Sequence, residues 1–308
     1  MTHRRADDDR PADPVPVTPS VPNTHSVPST HSVPVTHPTD PSDRAGVATF
    51  LARSVRAELA KLSVRSPLWY AVIPLAVLIP AVLNFGIAKA AQLSKIDGSG
   101  GMDTNNAAYW ILVFSTFILM TGAVNSFCAE FRDGTAEIAF AVQPRRWLLP
   151  VAKLIVFGAI AGVTAMVTTF GIMWGYHRLF PDVWGRVDVF SYDGVRLWLG
   201  TPLLTVLVIA LGIGLSALLP RPGLVVMLIL LWKFGVEKFV EFLQGDFGIL
   251  LQRWSPFRNA EIGAGQMVTF DSPFGGALGS MLYFGAISIG FFVIGMIRLS
   301  RADLRGGN

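Results

Sequence analysis

Charge is scarce in this chain: only 15% of its 308 residues are Asp, Glu, Lys or Arg, whereas a soluble domain carries about a quarter. That deficit excludes a molecule whose whole surface faces water. Cysteine is nearly absent as well. The single Cys128 rules out an intramolecular disulfide and reads as a small packing residue at the end of an apolar stretch. Beyond residue 37 the only histidine is His177, at the end of an apolar run beside Arg178, where an interfacial polar role fits better than a ligand or a base. The sequence holds no HExxH, no paired-carboxylate motif, no Cys/His cluster and no Gly-x-x-x-x-Gly-Lys-Ser/Thr loop to cradle phosphates. The expectation is therefore a protein that is not an enzyme and binds no metal or cofactor directly; if it uses ATP and magnesium, another chain must hold them. No apolar core lies near the start, so membrane insertion is expected to be directed by internal segments.

Hydrophobic residues, by contrast, make up 52% of the chain, and they are unevenly spread. Residues 1–45 are polar and proline-rich and contain a hexapeptide repeat: Ser20–His25, Ser26–His31 and Ser32–His37. Six residues are too few for a solenoid unit, and proline at this density favours extended, solvated chain. This tail is expected to be disordered. Its evenly spaced His25, His31 and His37 read as solvated side chains, with a weak metal site as the alternative. The net charge of +4 does not point to nucleic acid, because the basic residues flank long uncharged stretches instead of gathering on one soluble face.

From residue 46 to 66 the pattern becomes helical and amphipathic. Val47, Phe50, Leu51, Val55, Leu59 and Leu62 recur at helical spacing, with Arg53, Arg56, Lys61 and Arg65 on other faces. Directly before an apolar run, this reads as an interfacial helix on the cytoplasmic membrane surface; a soluble helix packed on a partner is the other reading. Residues 67–300 then hold six candidate spans, because a bilayer core takes about 20 apolar residues in helical form. They are 68–88, 107–129, 154–176, 197–220, 222–243 and 273–297, with residues 301–308 as a short C-terminus. The fifth is unusual: Pro222–Trp232 is wholly apolar, but Lys233, Glu237, Lys238 and Glu241 follow.

Basic residues set the direction. Arg53, Arg56, Lys61 and Arg65 precede the first span; Arg132, Arg145, Arg146 and Lys153 follow the second; Arg221 follows the fourth; Arg298, Arg301 and Arg305 end the chain. The alternate loops are balanced by Asp97, Asp103, Asp182, Asp188 and Asp193. The positive-inside rule places both termini in the cytoplasm. Small-residue pairs spaced four apart (Gly158/Gly162, Gly171/Gly175, Gly212/Ser216 and Gly275/Gly279) suit close helix contacts, within one chain or between two.

The informative loop follows the second span: Glu130-Phe131-Arg132-Asp133-Gly134-Thr135-Ala136-Glu137, then Gln143-Pro144-Arg145-Arg146 and Lys153. Gly134 permits a tight turn. Thr135 can cap a short helix with Glu137 in its first turn, and Pro144 stops it. Arg145 and Arg146 are left to face an anionic leaflet or a partner. On residue chemistry alone this is either a docking element or a solvated loop.

Lys233 and Glu237 are the sharpest intramembrane feature. Spacing of four puts them on one helical face, and charge at that depth needs a partner or a cavity. They read either as a polar station on a substrate path or as a structural ion pair in a short span.

The loop resembles that of the ABC type-2 permeases, which carry Glu-x-Arg-x-Gly-Thr-x-Glu, then a proline, a basic pair and a lysine opening the next span. Glu130, Arg132, Gly134, Thr135, Glu137, Pro144, Arg146 and Lys153 match in place. Glu58, Leu59 and Lys61 before the first span, Trp232 with Glu237, Trp254–Phe257, and Arg301 with Asp303 also agree, so the likeness extends over residues 50–305. It departs in the interrupted fifth span and in the tail. The resemblance implies an all-α membrane protein with six spans, the transmembrane subunit of an exporter in the inner (cytoplasmic) membrane. It further implies a second permease copy or paralogue, and a separate ATPase subunit gripped through the loop's coupling helix. The segment between spans five and six would dip into the outer leaflet. Substrates of such permeases range from drugs and lipids to peptides and polysaccharides, and the apolar lining here leans toward an amphipathic or lipid-like molecule. Two rivals stand beside it: a non-transporting scaffold or sensor that docks an ATPase or kinase, and an intramembrane lipid-modifying enzyme, for which no His, Asp or Ser constellation is found.

Overall fold

In the computed structural model, residues 46–63, 66–94, 101–142, 145–268 and 272–301 are described. The tail at 1–45, Gln143 and Pro144 of the loop, and residues 302–308 lie outside them. The described residues are helical with irregular connections and contain no strand. In chain order the helices are α1 (Val47–Lys61), α2 (Ile73–Ser94), α3 (Thr116–Arg132), α4 (Thr135–Val142), α5 (Leu148–Leu179), α6 (Pro181–Trp184), α7 (Tyr192–Leu218), α8 (Pro222–Leu230), α9 (Glu237–Glu241), α10 (Gly245–Arg253), α11 (Pro256–Ala264) and α12 (Ala277–Arg301). Three π-helical turns, in which the backbone bonds run one residue long, precede α2 (Leu68–Val72), α3 (Ile111–Ser115) and α9 (Leu231–Val236).

Five stretches are long and apolar enough to cross a bilayer: Leu68–Leu93, Thr104–Arg132, Leu148–Leu179, Tyr192–Leu218 and Ala277–Arg301. They suggest a multi-pass membrane protein. The sequence predicts six spans, and the remaining segment, Pro222–Glu241, differs for a physical reason. It is helical from end to end, but four charged side chains crowd its second half and a π-helical turn interrupts it. Most spans outrun their predicted limits because aromatic and basic end residues continue the helix. The last starts later than expected because Gly275 and Gly276 adopt φ of 74° and 98°.

The chain runs up and down between two ends. One end gathers α1, the end of α3, α4, the start of α5 and the end of α7. The other joins the approach to α3 with α6, through Met102 N–H to the Val183 carbonyl at 2.7 Å, and with the segment after α11, through Met267 N–H to that of Asn105 at 2.7 Å. Arg132, Arg145, Arg146, Lys153 and the basic residues of α1 all lie at the α1 end.

The core is centred on α7, which packs against α3, α5 and α12. Its mid-section (Leu204, Val208, Ile209, Ile213) is buried. Gly158 and Gly162 let α5 meet Val206 of α7, Gly212 faces Met120 and Val124 of α3, and a Cβ on Gly171 or Gly175 would meet nothing within 4 Å. The first pair and Gly212 thus serve the protomer's own packing. α7 and α12 run parallel and touch at backbone level, since a Cβ on Gly214 would stand 2.6 Å from the Phe292 backbone.

Backbone groups freed inside the bundle find partners. Pro80, within α2, has no N–H, so the Ala76 carbonyl loses its helical partner. Ser115, in the turn before α3, donates to that oxygen at 2.5 Å, as a low-dielectric interior requires.

Gly214→Val is expected to cost about 1–3 kcal/mol through overpacking. It should show as a lowered melting temperature of the detergent-solubilised protein, whereas Gly223→Val, which meets open space, should leave the transition in place.

Candidate functional site

The most buried residue of the amphipathic helix α1 is a carboxylate, Glu58. Helical spacing turns it inward beside Leu62, toward the first turns of α5. There Lys153 is enclosed, its side chain 1% exposed, and it donates to Glu58 Oε2 at 2.7 Å. Glu130, in the last turn of α3, stands 3.1 Å from the same ammonium. Lys61, one turn along α1, donates to Glu58 at 2.7 Å and to Glu130 at 2.8 Å. Two lysines and two glutamates therefore form a closed ring of alternating charge that ties α1, α3 and α5. Ser126 accepts a further bond from Lys153 at 3.2 Å. Three of the four side chains are nearly solvent-free, and such charges persist only when each is answered by its opposite.

Lys61 is the ring's half-exposed member. Burial alone would lower its pKa, but the hydrogen bonds and charges of Glu130 and Glu58 outweigh that and hold it above the usual lysine value. Its share of stability is thus fully present below the ordinary lysine value and is lost only as pH rises through the raised one.

The loop hangs from this ring. Arg132 is exposed and pairs with Asp133 at 3.1 Å, and Gly134 turns the chain with φ 69°. The Thr135 hydroxyl donates to Glu130 Oε2 at 2.8 Å, which ties the start of α4 to the ring. α4 itself forms where the sequence places a short helix. Arg145 sits 5.6 Å over the Phe50 ring of α1, and Arg146 4.5 Å over that of Phe140 in α4. Their planar cations draw these two helices together. The side chain of Glu137 and all of Pro144 fall outside the described residues.

A second charged cluster lies toward the other end. Lys233 and Glu237 share a face, as their spacing predicts, but both turn to α11 and not to each other. Lys233 donates to Glu261 at 2.5 Å. Glu237 accepts from the backbone N–H groups of Phe257 and Arg258 at 2.9 and 3.0 Å, and from Trp232 Nε1 at 3.2 Å. The Ser255 side chain leaves the start of α11 uncapped, and the Glu237 carboxylate fills that place, where the positive helix end favours an anion. Glu241 pairs with Arg258 at 2.7 Å. Both charges are thus consumed in fastening α11, which sequence spacing had no means to show.

Between α2, α3 and the fifth segment opens a cleft of about 930 Å³, at the upper end of small-molecule sites. Leu68, Val72, Leu75, Val113, Phe117 and Phe234 form its apolar walls, and Lys61, Glu130 and Arg132 reach its end near α1. Lys233 and Glu237 do not line it. All three π-helical turns of the described residues supply wall residues: Leu68 and Val72, Val113, and Phe234. Such turns recur at functional sites because the extra residue redirects side chains and loosens the helix. No group of His, Cys, Asp and Glu able to hold a metal occurs among the described residues. His177 instead bonds the Trp184 carbonyl at 3.1 Å.

Comparison with protein families, with curated proteins and with solved structures returns no match. The site is therefore interpreted from its own chemistry.

Lys153→Met would leave two buried carboxylates sharing the single half-exposed ammonium of Lys61 and is expected to destabilise by about 3–5 kcal/mol. Lys61→Met, at the exposed corner, should cost clearly less. Denaturation of the two purified variants in one detergent compares them, and equal losses would mean the ring is not closed as described.

Proposed function

We propose that this chain is the membrane-spanning subunit of an ABC-type exporter of the type-2 permease kind, working with a separate ATPase and a second permease copy or paralogue. In this reading Pro222–Glu241, 20 residues long and about 30 Å at 1.5 Å per residue, is the fifth of six spans. Its charges are tolerated because α11 folds back and answers Lys233, Glu237 and Glu241, while Lys238 pairs with Glu241. Both termini and the basic α1 end face the cytoplasm of the inner membrane, in keeping with the positive-inside rule.

One observation carries the reading. α4 is bonded through Thr135 and Glu130 to a ring that also holds α1 and α5. A force applied to α4 by a cytoplasmic motor therefore reaches three elements together, and α3 among them walls the cleft. Ordinary solvated loops have no such anchorage. ATP and its magnesium would sit on the ATPase, whose closure would press α4 and shift the walls. The cleft would pass its contents from the α1 end outward, and its apolar walls with a charged end suit an amphipathic cargo.

Affinity purification of the full chain from its native membrane should bring down an ATPase in stoichiometric amount. Replacing Arg132 and Glu137 by alanine should lower the permease-dependent stimulation of that ATPase by about tenfold, within the usual range of coupling between sites. Undiminished stimulation would remove the role assigned to α4, and absence of any ATPase would remove the exporter reading itself.

A further inference from the structure

The cleft is graded along its length. At mid-bundle it ends on aromatic rings, with Phe117 and Phe234 5.4 Å apart and Phe257 5.8 Å from Phe117. Toward α1 its lining changes to Asn125, Ser126, Ser66 and the exposed edge of the charge ring. A molecule lying in it would have its apolar part at bundle centre and its polar part at the α1 end. A lipid of the leaflet on that side is oriented the same way, so it can enter without turning over. Leu75 and Phe234, 49% and 37% exposed, leave the side of the cleft open to such an approach.

The charges at the polar end narrow the occupant further. Glu58 and Glu130 face the cleft together with Lys61 and Arg132, so the lining's positive and negative charges are equal in number. Lys61 already donates to two carboxylates, and Arg132 pairs with Asp133. An anionic headgroup could reach the remaining N–H of Lys61 and the outer face of Arg132, but the two carboxylates beside it would repel its net charge. A purely uncharged headgroup would leave the alternating pattern unused. A headgroup bearing one phosphate and one ammonium meets both, with the phosphate on the remaining N–H of Lys61 and the outer face of Arg132, and the ammonium on the carboxylate edge of Glu130.

We propose that the cleft between α2, α3 and the fifth segment binds one zwitterionic amphiphile of the phosphoethanolamine class, its headgroup at the Glu58–Lys61–Glu130 edge and its chain against Phe117 and Phe234. That this molecule is also the cargo rests on the exporter reading; its binding does not.

The full chain, purified in neutral detergent, is equilibrated with equimolar phosphatidylethanolamine, phosphatidylglycerol and diacylglycerol, and co-eluting lipid is measured by mass spectrometry. Phosphatidylethanolamine is expected to be enriched about tenfold over both others, a difference of one decade in affinity. Asn125→Trp, at an exposed position that fills the cleft without touching the core, should bring it down to the level of the others. Lys61→Met should erase its advantage over diacylglycerol. Equal or greater retention of phosphatidylglycerol, or retention indifferent to Asn125→Trp, overturns the proposal. An ATPase recovered without lipid preference would defeat this occupant alone, whereas lipid preference without an ATPase would uphold it and defeat only the cargo role.

Discussion

Everything at one end of this molecule depends on four side chains that cannot be buried separately. Moving a single ammonium or carboxylate out of water costs several kcal/mol even after relaxation. Lys153 is enclosed in the first turns of α5, and its position is tolerable only because Glu58 and Glu130 come to it. The requirement works both ways. Glu58 lies on α1, so that helix is not simply spread on a lipid surface by its apolar residues; it is held in register by an ion pair. Glu130 lies at the end of α3, so the turn at Gly134 and the direction of α4 inherit the same constraint. A weak amphipathic helix, a span end and a short loop helix are thereby made into one rigid corner.

The other end solves a related problem with backbone groups. α10 and α11 are short helices within an apolar bundle, and short helices carry a high proportion of unpaired N–H and C=O groups. Glu237 takes two of the N–H groups at the start of α11. Gln252 of α10 reaches the carbonyl of Val240 at 3.2 Å. The charges that make Pro222–Glu241 look unfit to cross lipid are the same ones that allow its neighbours to fold back. The two features are a single design: remove α11 and Lys233 and Glu237 lose their partners; remove the charges and α11 loses its N-terminal cap.

Much of the architecture was legible in the sequence because lipid imposes a simple rule, and uncharged runs of the required length mark the long helices directly. The amphipathic approach, the short loop helix and the glycine turn were legible for the same local reasons. What was hidden was pairing across long separations. Glu58 and Lys153 are 95 residues apart, and each alone reads as an ordinary charge near a helix end. One hint was present, in that Lys153 falls on the buried face of an apolar helix, which demands an acidic partner of equal depth. Lys233 and Glu237 show the opposite failure: their spacing correctly put them on one face but suggested each other as partners, since nothing local announces a third helix arriving between them.

The backbone contact of α7 with α12 carries a mechanical consequence. Helices that touch at backbone level through Gly214 and Gly295, with nothing larger than the Ala217 methyl at the contact, have little room to slide or roll independently, so they form a fixed mast. Displacement must be taken up in seams where side chains leave slack. One such seam runs between α2 and α5, where Val77, Val163, Val167 and Gly171 border an apolar groove of about 470 Å³. The molecule is thus divided into a stiff spine and a compliant flank, and the flank is the side on which the first span stands.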